Sequence, residues 1–304
     1  MANCLVTGAK GFIGTHLVKR LKAEGHRVFE FDLKNNWDIR SDNSLHIALY
    51  GQKIQYVFHL AALKSVPFSF LQPFAVMETN GIGTLRVLLA CRRYGVKRVI
   101  YSSSSSVYGG VSGTQASKED DMPQPKSPYA ISKHVGEQYC KMFSSLYGLQ
   151  TVSLRYFNVF GPGQEPDSPY AAVIPKFIKC AQEGKPYTIN GDGSHRRDFT
   201  YVSNVVDANI LAMKMPGKMF AFTGHVFNIA NGTTRSLNDL CDTVDTFMGF
   251  KKKKKVKMKR VYGPEREGDI KFSSANIWRA EKYLGYQPKV SFEVGIHRMI
   301  KGGK

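Results

Sequence analysis

The sequence predicts an α/β fold, a doubly wound parallel sheet with a smaller C-terminal α/β domain beside it. Three observations point there. Short apolar strands alternate with helical segments through the first half. A glycine-punctuated turn joins the first strand to the first helix. After Gly161 this rhythm gives way to a long Pro- and Gly-rich loop and less regular segments. A chain of 304 residues suits one large domain plus a smaller partner.

The elements follow in order. NCLVT at 3–7 is the first strand, and a helix runs from the glycine turn to about Ala23. RVFEFD at 27–32 is the second strand, with a short helix near Ser44 to Tyr50. Gln55 to Leu60 is the third strand, and a long helix spans about Phe74 to Tyr94. Lys97 to Ser102 is the fourth strand, a helix covers about Tyr129 to Tyr147, and Thr151 to Tyr156 is the fifth strand. Such alternation implies parallel strands joined by right-handed crossovers. Beyond Gly161, helices are expected at Ala172 to Gln182, Val205 to Lys214, Leu237 to Phe247 and Ala275 to Leu284. A strand at Val226 to Ile229 is expected to rejoin the sheet.

Composition narrows the class. Hydrophobic residues make up 42%, enough for a sizeable core, yet no apolar run reaches the length of a membrane span. The first residues read as a strand rather than a secretion signal. Five widely spaced cysteines, with no C-x-x-C pair, fit reduced cytoplasmic thiols better than disulfides or a metal site. Cys4 and Cys91 sit among apolar residues as core fillers. The net charge of +19 is densest at Lys251 to Lys255. No nucleic-acid motif accompanies that run, so it reads as a solvated loop. Neither nucleic acid nor membrane is expected as a partner, and some of the charge suits a diphosphate substrate.

TGAKGFIG sets Gly8, Gly11 and Gly14 between strand and helix, where a backbone must pass close to a pyrophosphate and a Cβ would obstruct it. The helix N-terminus adds free N–H groups and a positive dipole end. This is the Rossmann-type arrangement. Asp32 ends the second strand, 18 residues after Gly14, placed to accept both ribose hydroxyls of an adenosine. It would repel a 2′-phosphate, which favours NAD over NADP, although Lys34 nearby softens that discrimination.

Tyr129 and Lys133 in SPYAISK have Y-x-x-x-K spacing, one helical turn, so both project from one face. A free phenol, with pKa about 10, is a poor base at neutrality. A nearby ammonium and a positive nicotinamide ring favour the phenolate. The fourth strand ends in SSSSSVYG, placing hydroxyls at the C-terminal edge of a parallel sheet, where such folds bind ligands. One of these serines can bridge a sugar hydroxyl and the phenol.

Taken together, TGAKGFIG, FHLAA at 58–62, TNGIGT around Asn80, SSSSSVYG, SPYAISK, LRYFNVFGPGQ and NGDGSHRRDFTYV resemble the extended short-chain dehydrogenase/reductase family over nearly the whole chain. The resemblance implies NAD as cofactor and Ser104, four residues before the tyrosine of VYG, as the catalytic serine. It implies cofactor contacts from Phe12, Ile13, Asp38, Ile39, Leu60, Ala61, Ala62 and Asn80, beside the glycines, Asp32, Tyr129 and Lys133. It also implies a division into an NAD-binding domain (1–165 plus about 201–232) and a nucleotide-sugar domain (about 166–200 plus 233–304). A homodimer packed through the helices at 74–94 and 129–147 is implied as well.

Within the family, dehydratases carry an Asp–Glu pair after the catalytic residue, and decarboxylases a Glu. This chain has Ser105 and Ser106 there. Without that carboxyl group, elimination lacks its acid–base catalyst, and the serine-rich form is similar to 4-epimerases. RYFNVFG, AAVIPKF and INGDG followed by RDF resemble the UDP-N-acetylhexosamine 4-epimerase branch. That likeness implies a UDP-sugar substrate held by Ser104, Ser105, Tyr129, Asn158, Val173 and Asn190. It makes Arg197 and Arg266 phosphate clamps, with Asp269 facing the uridine ribose or merely holding Arg266. Ser273 matches a place where enzymes restricted to non-acetylated sugars carry Tyr, so it leaves room for an N-acetyl group. UDP-glucuronate 4-epimerase is the nearest alternative. A non-catalytic NAD-binding module is a different class, which has no need of Ser104, Tyr129 and Lys133 together.

Overall fold

The computed structural model describes residues 1–110, 115–167, 172–220, 224–250, 258–265 and 270–302. Strand β1 (Asn3–Thr7) is buried from its second residue onward, and helix α1 (Phe12–Ala23) follows the glycine turn. Strand β2 (Arg27–Phe31) leads to α2 (Asp42–Leu49), where the Ser41 hydroxyl accepts the Ser44 N–H as cap. After β3 (Tyr56–His59) come α3 (Val66–Leu71), α4 (Pro73–Val76), a π turn (Met77–Ile82) and α5 (Gly83–Arg93). The helix expected at 74–94 is therefore interrupted by a π turn, a form of local expansion common at functional sites. Strand β4 (Arg98–Ser104) runs two residues beyond its expected end. Helix α6 (Pro128–Tyr147) starts with Pro at its first position behind a Ser127 cap and ends at Gly148, φ 67°.

Strands β5 (Gln150–Tyr156) and β6 (Val159–Phe160) precede α7 (Val173–Glu183). Three short strands follow: β7 (Tyr187–Asn190), β8 (Arg196–Asp198) and β9 (Thr200–Tyr201). Next come α8 (Val202–Lys214), β10 (His225–Ile229), β11 (Thr234–Ser236) and α9 (Leu237–Phe247). Strands β12 (Arg260–Gly263) and β13 (Phe272–Ser273) lead to α10 (Trp278–Leu284) and α11 (Phe292–Ile300). Helix α8 starts three residues earlier than expected and α10 three residues later.

Six strands form one parallel sheet in the order β10-β5-β4-β3-β1-β2. The chain starts in its interior, adds β2 on one side and β3 on the other, and so creates a crevice beyond the C-terminal ends of β1 and β3. Apolar side chains cover both faces. Leu17, Leu21, Val205 and Ile210 pack on one face; Leu45, Leu88, Cys91 and Phe143 pack on the other. Cys4 also lies in the first of these clusters. A third core gathers Phe160, Phe177, Tyr187, Leu240 and Phe292 around the smaller sheets β11-β8-β13 and β12-β7. No helix among the described residues is long and apolar enough to cross a membrane.

At the base of the sheet Arg98 is 1% exposed, and among the described residues its fork is held by carbonyl oxygens. Its Nη1 donates to the carbonyls of Ala212 (2.8 Å) and Met213 (2.6 Å), and its Nη2 to that of Met215 (2.8 Å). Gln150 Oε1 accepts from Nη2 at 2.6 Å. The guanidinium thereby satisfies carbonyls that the end of α8 would leave without partners.

Candidate active site

The site forms where β1, β3 and β4 end. Gly8 has φ +70°, and a Cβ there would lie 2.8 Å from the Ala61 nitrogen. A Cβ at Gly14 would lie 2.1 Å from the Gly8 oxygen, so the turn and α1 approach too closely for any side chain. Gly11 caps α1 without a side-chain hydrogen bond, leaving first-turn N–H groups open to an anion. This cradle fits the pyrophosphate of a dinucleotide. Asp32 accepts the N–H groups of Lys10 and Lys34, both at 2.9 Å, and so braces the glycine turn. Asp38 is paired with Arg40 at 2.7 Å, and hydrogen bonding to Arg40 holds its carboxyl below the usual range.

Gly8, Gly11, Phe12, Ile13, Gly14, Asp32, Asp38, Ile39, Leu60, Ala61 and Ala62 line one cavity of about 1260 Å³. Asn80 is placed differently, behind the wall. Its amide accepts from Leu63 N–H at 2.8 Å and donates to the Leu63 carbonyl and the Ser132 hydroxyl, both at 3.0 Å. It ties the segment after β3 to α6.

Ser104, Ser105, Tyr129 and Lys133 line the same cavity. Ser104 is the last residue of β4, registered against Tyr156, and its Oγ accepts the Ser106 N–H at 3.1 Å. Burial raises the Tyr129 phenol above its ordinary pKa, and a hydrogen bond with Ser104 opposes the rise. The sequence argument expects a lowered value; in the protein alone, desolvation wins. The Lys133 ammonium is 3% exposed and donates to the Ser102 carbonyl at 2.8 Å. Burial pulls it down to about 8, against the charge of Glu137. His59, buried between Thr7 (2.7 Å) and Thr84 (2.9 Å), is kept neutral by burial and by Lys133, which push it to about 3.

Toward the smaller sheets, Asn158 adopts φ +30° and donates to the Asp198 carbonyl at 3.1 Å. A left-handed non-glycine residue on a cavity wall is the kind of strain that gathers at functional sites. Arg197 lines the cavity, as does Ser273, its partner in the β13–β8 ladder. Val173, which opens α7, and Asn190, which ends β7, do not line it. Arg266, Asp269 and the lysine run at 251–255 lie outside the described residues.

A model of the NAD dependent epimerase/dehydratase family matches residues 4–230. The chain belongs to this family. Its fold is that of the solved UDP-glucose 4-epimerase of Thermotoga maritima with UDP-glucose, which is 35% identical with a TM-score of 0.90 over 98% of this chain and 97% of that one. The UDP-N-acetylglucosamine 4-epimerase of Methanobrevibacter ruminantium M1, in complex with UDP-N-acetylmuramic acid, is 36% identical with a TM-score of 0.88 over 99% and 97%. A UDP-glucuronate 4-epimerase of Thermodesulfobacterium geofontis is 31% identical over 100% of this chain and 97% of its own length.

As a member of the NAD dependent epimerase/dehydratase family the protein takes NAD as cofactor. Lys64, Lys126, Gln164 and Ile270 also line the cavity and escaped the sequence argument. Lys64 directly follows FHLAAL, and Gln164 closes LRYFNVFGPGQ, so position within those stretches was a usable signal. Lys126 and Ile270 carried none, because their places follow from the packing of Gly109 and Gly110 against them.

Proposed function

We propose that the protein is a UDP-sugar 4-epimerase acting on UDP-N-acetylglucosamine and UDP-N-acetylgalactosamine, and also on UDP-glucose and UDP-galactose. The observation that carries this reading is one cavity lined by Ser104, Tyr129 and Lys133 together with small Ser273 and its ladder partner Arg197. Bound NAD supplies a hydride acceptor for C4 and a positive charge beside the phenol. Tyr129 takes the O4 proton, Ser104 orients that oxygen, and Lys133 favours the phenolate by its charge. Tyr129 returns the proton as C4 regains its hydride on the other face of the 4-keto sugar, so no reductant is consumed. Arg197 takes the diphosphate, joined by Arg266, while Asp269 serves the uridine ribose. Ser105 and Ser106 supply no carboxyl group for elimination, which favours epimerisation over dehydration.

Residues 1–165 with about 201–232 would hold NAD, and about 166–200 with 233–304 the nucleotide sugar. Exposed Leu89 on α5, and Ile131, Met142 and Leu146 on α6, suit a homodimer packed through those helices. Five free cysteines suit a cytoplasmic, reducing setting. A second substrate, UDP-glucuronate, is favoured by Lys126, a cation on the cavity wall.

The test is a panel of UDP-sugars, with products read by NMR and no reductant added. UDP-N-acetylglucosamine should yield UDP-N-acetylgalactosamine. Conversion of UDP-glucuronate alone would favour the second substrate, and inertness toward every UDP-hexose would refute the reading.

A further inference from the structure

Glu137 is 3% exposed and has no part in the chemistry just described. It follows Lys133 by one helical turn, so both side chains leave α6 on the same buried side. Arg155 on β5 grips it with a two-pronged contact, Nε to Oε1 at 2.8 Å and Nη2 to Oε2 at 2.7 Å. On β4, Ser103 donates its hydroxyl to Oε1 at 2.5 Å. Ser103 directly precedes Ser104, and Ser102 directly before it accepts the Lys133 ammonium. One carboxylate thus joins the strand that carries Ser104 to the helix that carries Tyr129 and Lys133.

A buried ion pair is a poor device for stability alone, since shape-matched apolar residues often serve as well. Its charge has a more specific use here. Around Lys133 and Glu137 stand His59 from β3, Tyr101 from β4, His134 and Cys140 from α6, and Arg155 from β5, with Tyr108 and Glu119 beyond Arg155. Burial keeps His59, Tyr101 and Cys140 uncharged. Burial pushes the Glu137 carboxyl up, but hydrogen bonds from Arg155, His134 and Ser103 together with the Arg155 charge outweigh it and hold the group low, and its charge acts on Lys133.

We propose that Glu137 is a positioning residue for the reaction: locked by Arg155 and Ser103, its carboxylate keeps Lys133 an ammonium at working pH and fixes the end of β4 that presents Ser104. The inference rests on Ser104, Tyr129 and Lys133 being the reacting set.

The experiment is an NMR titration of the Lys133 ammonium in ¹⁵N-lysine-labelled protein with NAD bound, assigned by Lys133→Met. Glu137→Gln should lower the Lys133 midpoint by about 1 pH unit, and the alkaline limb of kcat should move with it while KM changes little. Arg155→Gln removes the cation of the same pair and should move the midpoint the other way. A purely structural pair would leave the midpoint unmoved in both variants, or move it alike, and either result overturns the proposal. In the unmutated holoenzyme, the ¹³C signal of the Glu137 carboxylate must respond at the Lys133 midpoint; a signal flat across it also overturns the proposal, whether or not the variants fold. Absence of sugar turnover would count against the epimerase reading and leave these titrations readable.

Discussion

Ser273 and Arg197 are direct partners in the two-residue ladder between β13 and β8, and both side chains line the cavity that Tyr129 shares. The ladder fixes the distance between a small wall residue and a cation suited to a diphosphate. A larger side chain at 273 has to take its room from the cavity. Ser273→Tyr should lower kcat/KM for UDP-N-acetylglucosamine by at least about tenfold while UDP-glucose is turned over within a few-fold of the parent rate. Parallel steady-state kinetics on the two substrates check this; equal losses on both would remove the steric argument.

Tyr129→Phe removes the proton acceptor and keeps the ring. The expected loss in kcat is about 10²- to 10⁴-fold. Bound NAD, measured by absorbance after denaturation, and the melting temperature should stay at the parent values, because β4, which carries the phenol's partner Ser104, is held by its ladders to β3 and β5.

Asp198 is fully buried and accepts the N–H groups of Asn231 (2.8 Å) and Gly232 (3.0 Å). Burial nevertheless raises its carboxyl from 3.8 to about 7, the backbone hydrogen bonds opposing. A carboxyl raised on folding binds a proton in the native state that the unfolded state has released. Its contribution is full below the unfolded value and is lost as pH rises through the folded one. The melting-temperature gap between the parent and Asp198→Asn should therefore be widest near pH 4 and narrow by a few degrees toward pH 7. A gap constant with pH would show that Asp198 is ionised throughout.

Arg98→Met would strand the carbonyls of Ala212, Met213 and Met215. Each buried acceptor left unpaired costs about 1–3 kcal/mol, so the melting temperature should drop by several degrees while kcat/KM at 25 °C stays within twofold. Arg98→Lys should not rescue it, since a single ammonium cannot span the positions a guanidinium fork reaches. Thermal melts of the two variants decide the matter.

The parts legible in the sequence are those whose physics is local. Gly8 and Gly14 declare a turn because only glycine fits there, and Tyr129 with Lys133 share a face because helical periodicity demands it. The parallel sheet follows from strands long enough to show an apolar run. Strands β8, β9 and β13 have two or three residues, too few for any period to appear. Helix α11 is not among the elements expected beyond Gly161, although Ser291 caps it. The bonds by which Asn80 holds Leu63 and Ser132 are not legible in TNGIGT, because they need the position of the segment after β3. The Glu137–Arg155 pair joins residues 18 apart on different elements, and nothing in the spacing announces it.

The contact between Arg98 and the end of α8 bridges 114 to 117 positions of chain. Ser104, Tyr129, Lys133 and Arg197 all lie inside that span. Closing so long a stretch of chain carries an entropy cost that only the finished contacts repay, and interactions absent from the transition state act mainly by slowing escape from the native state. Loss of the buried guanidinium is therefore expected to show in the unfolding rate more than in the folding rate, shortening the life of a finished molecule.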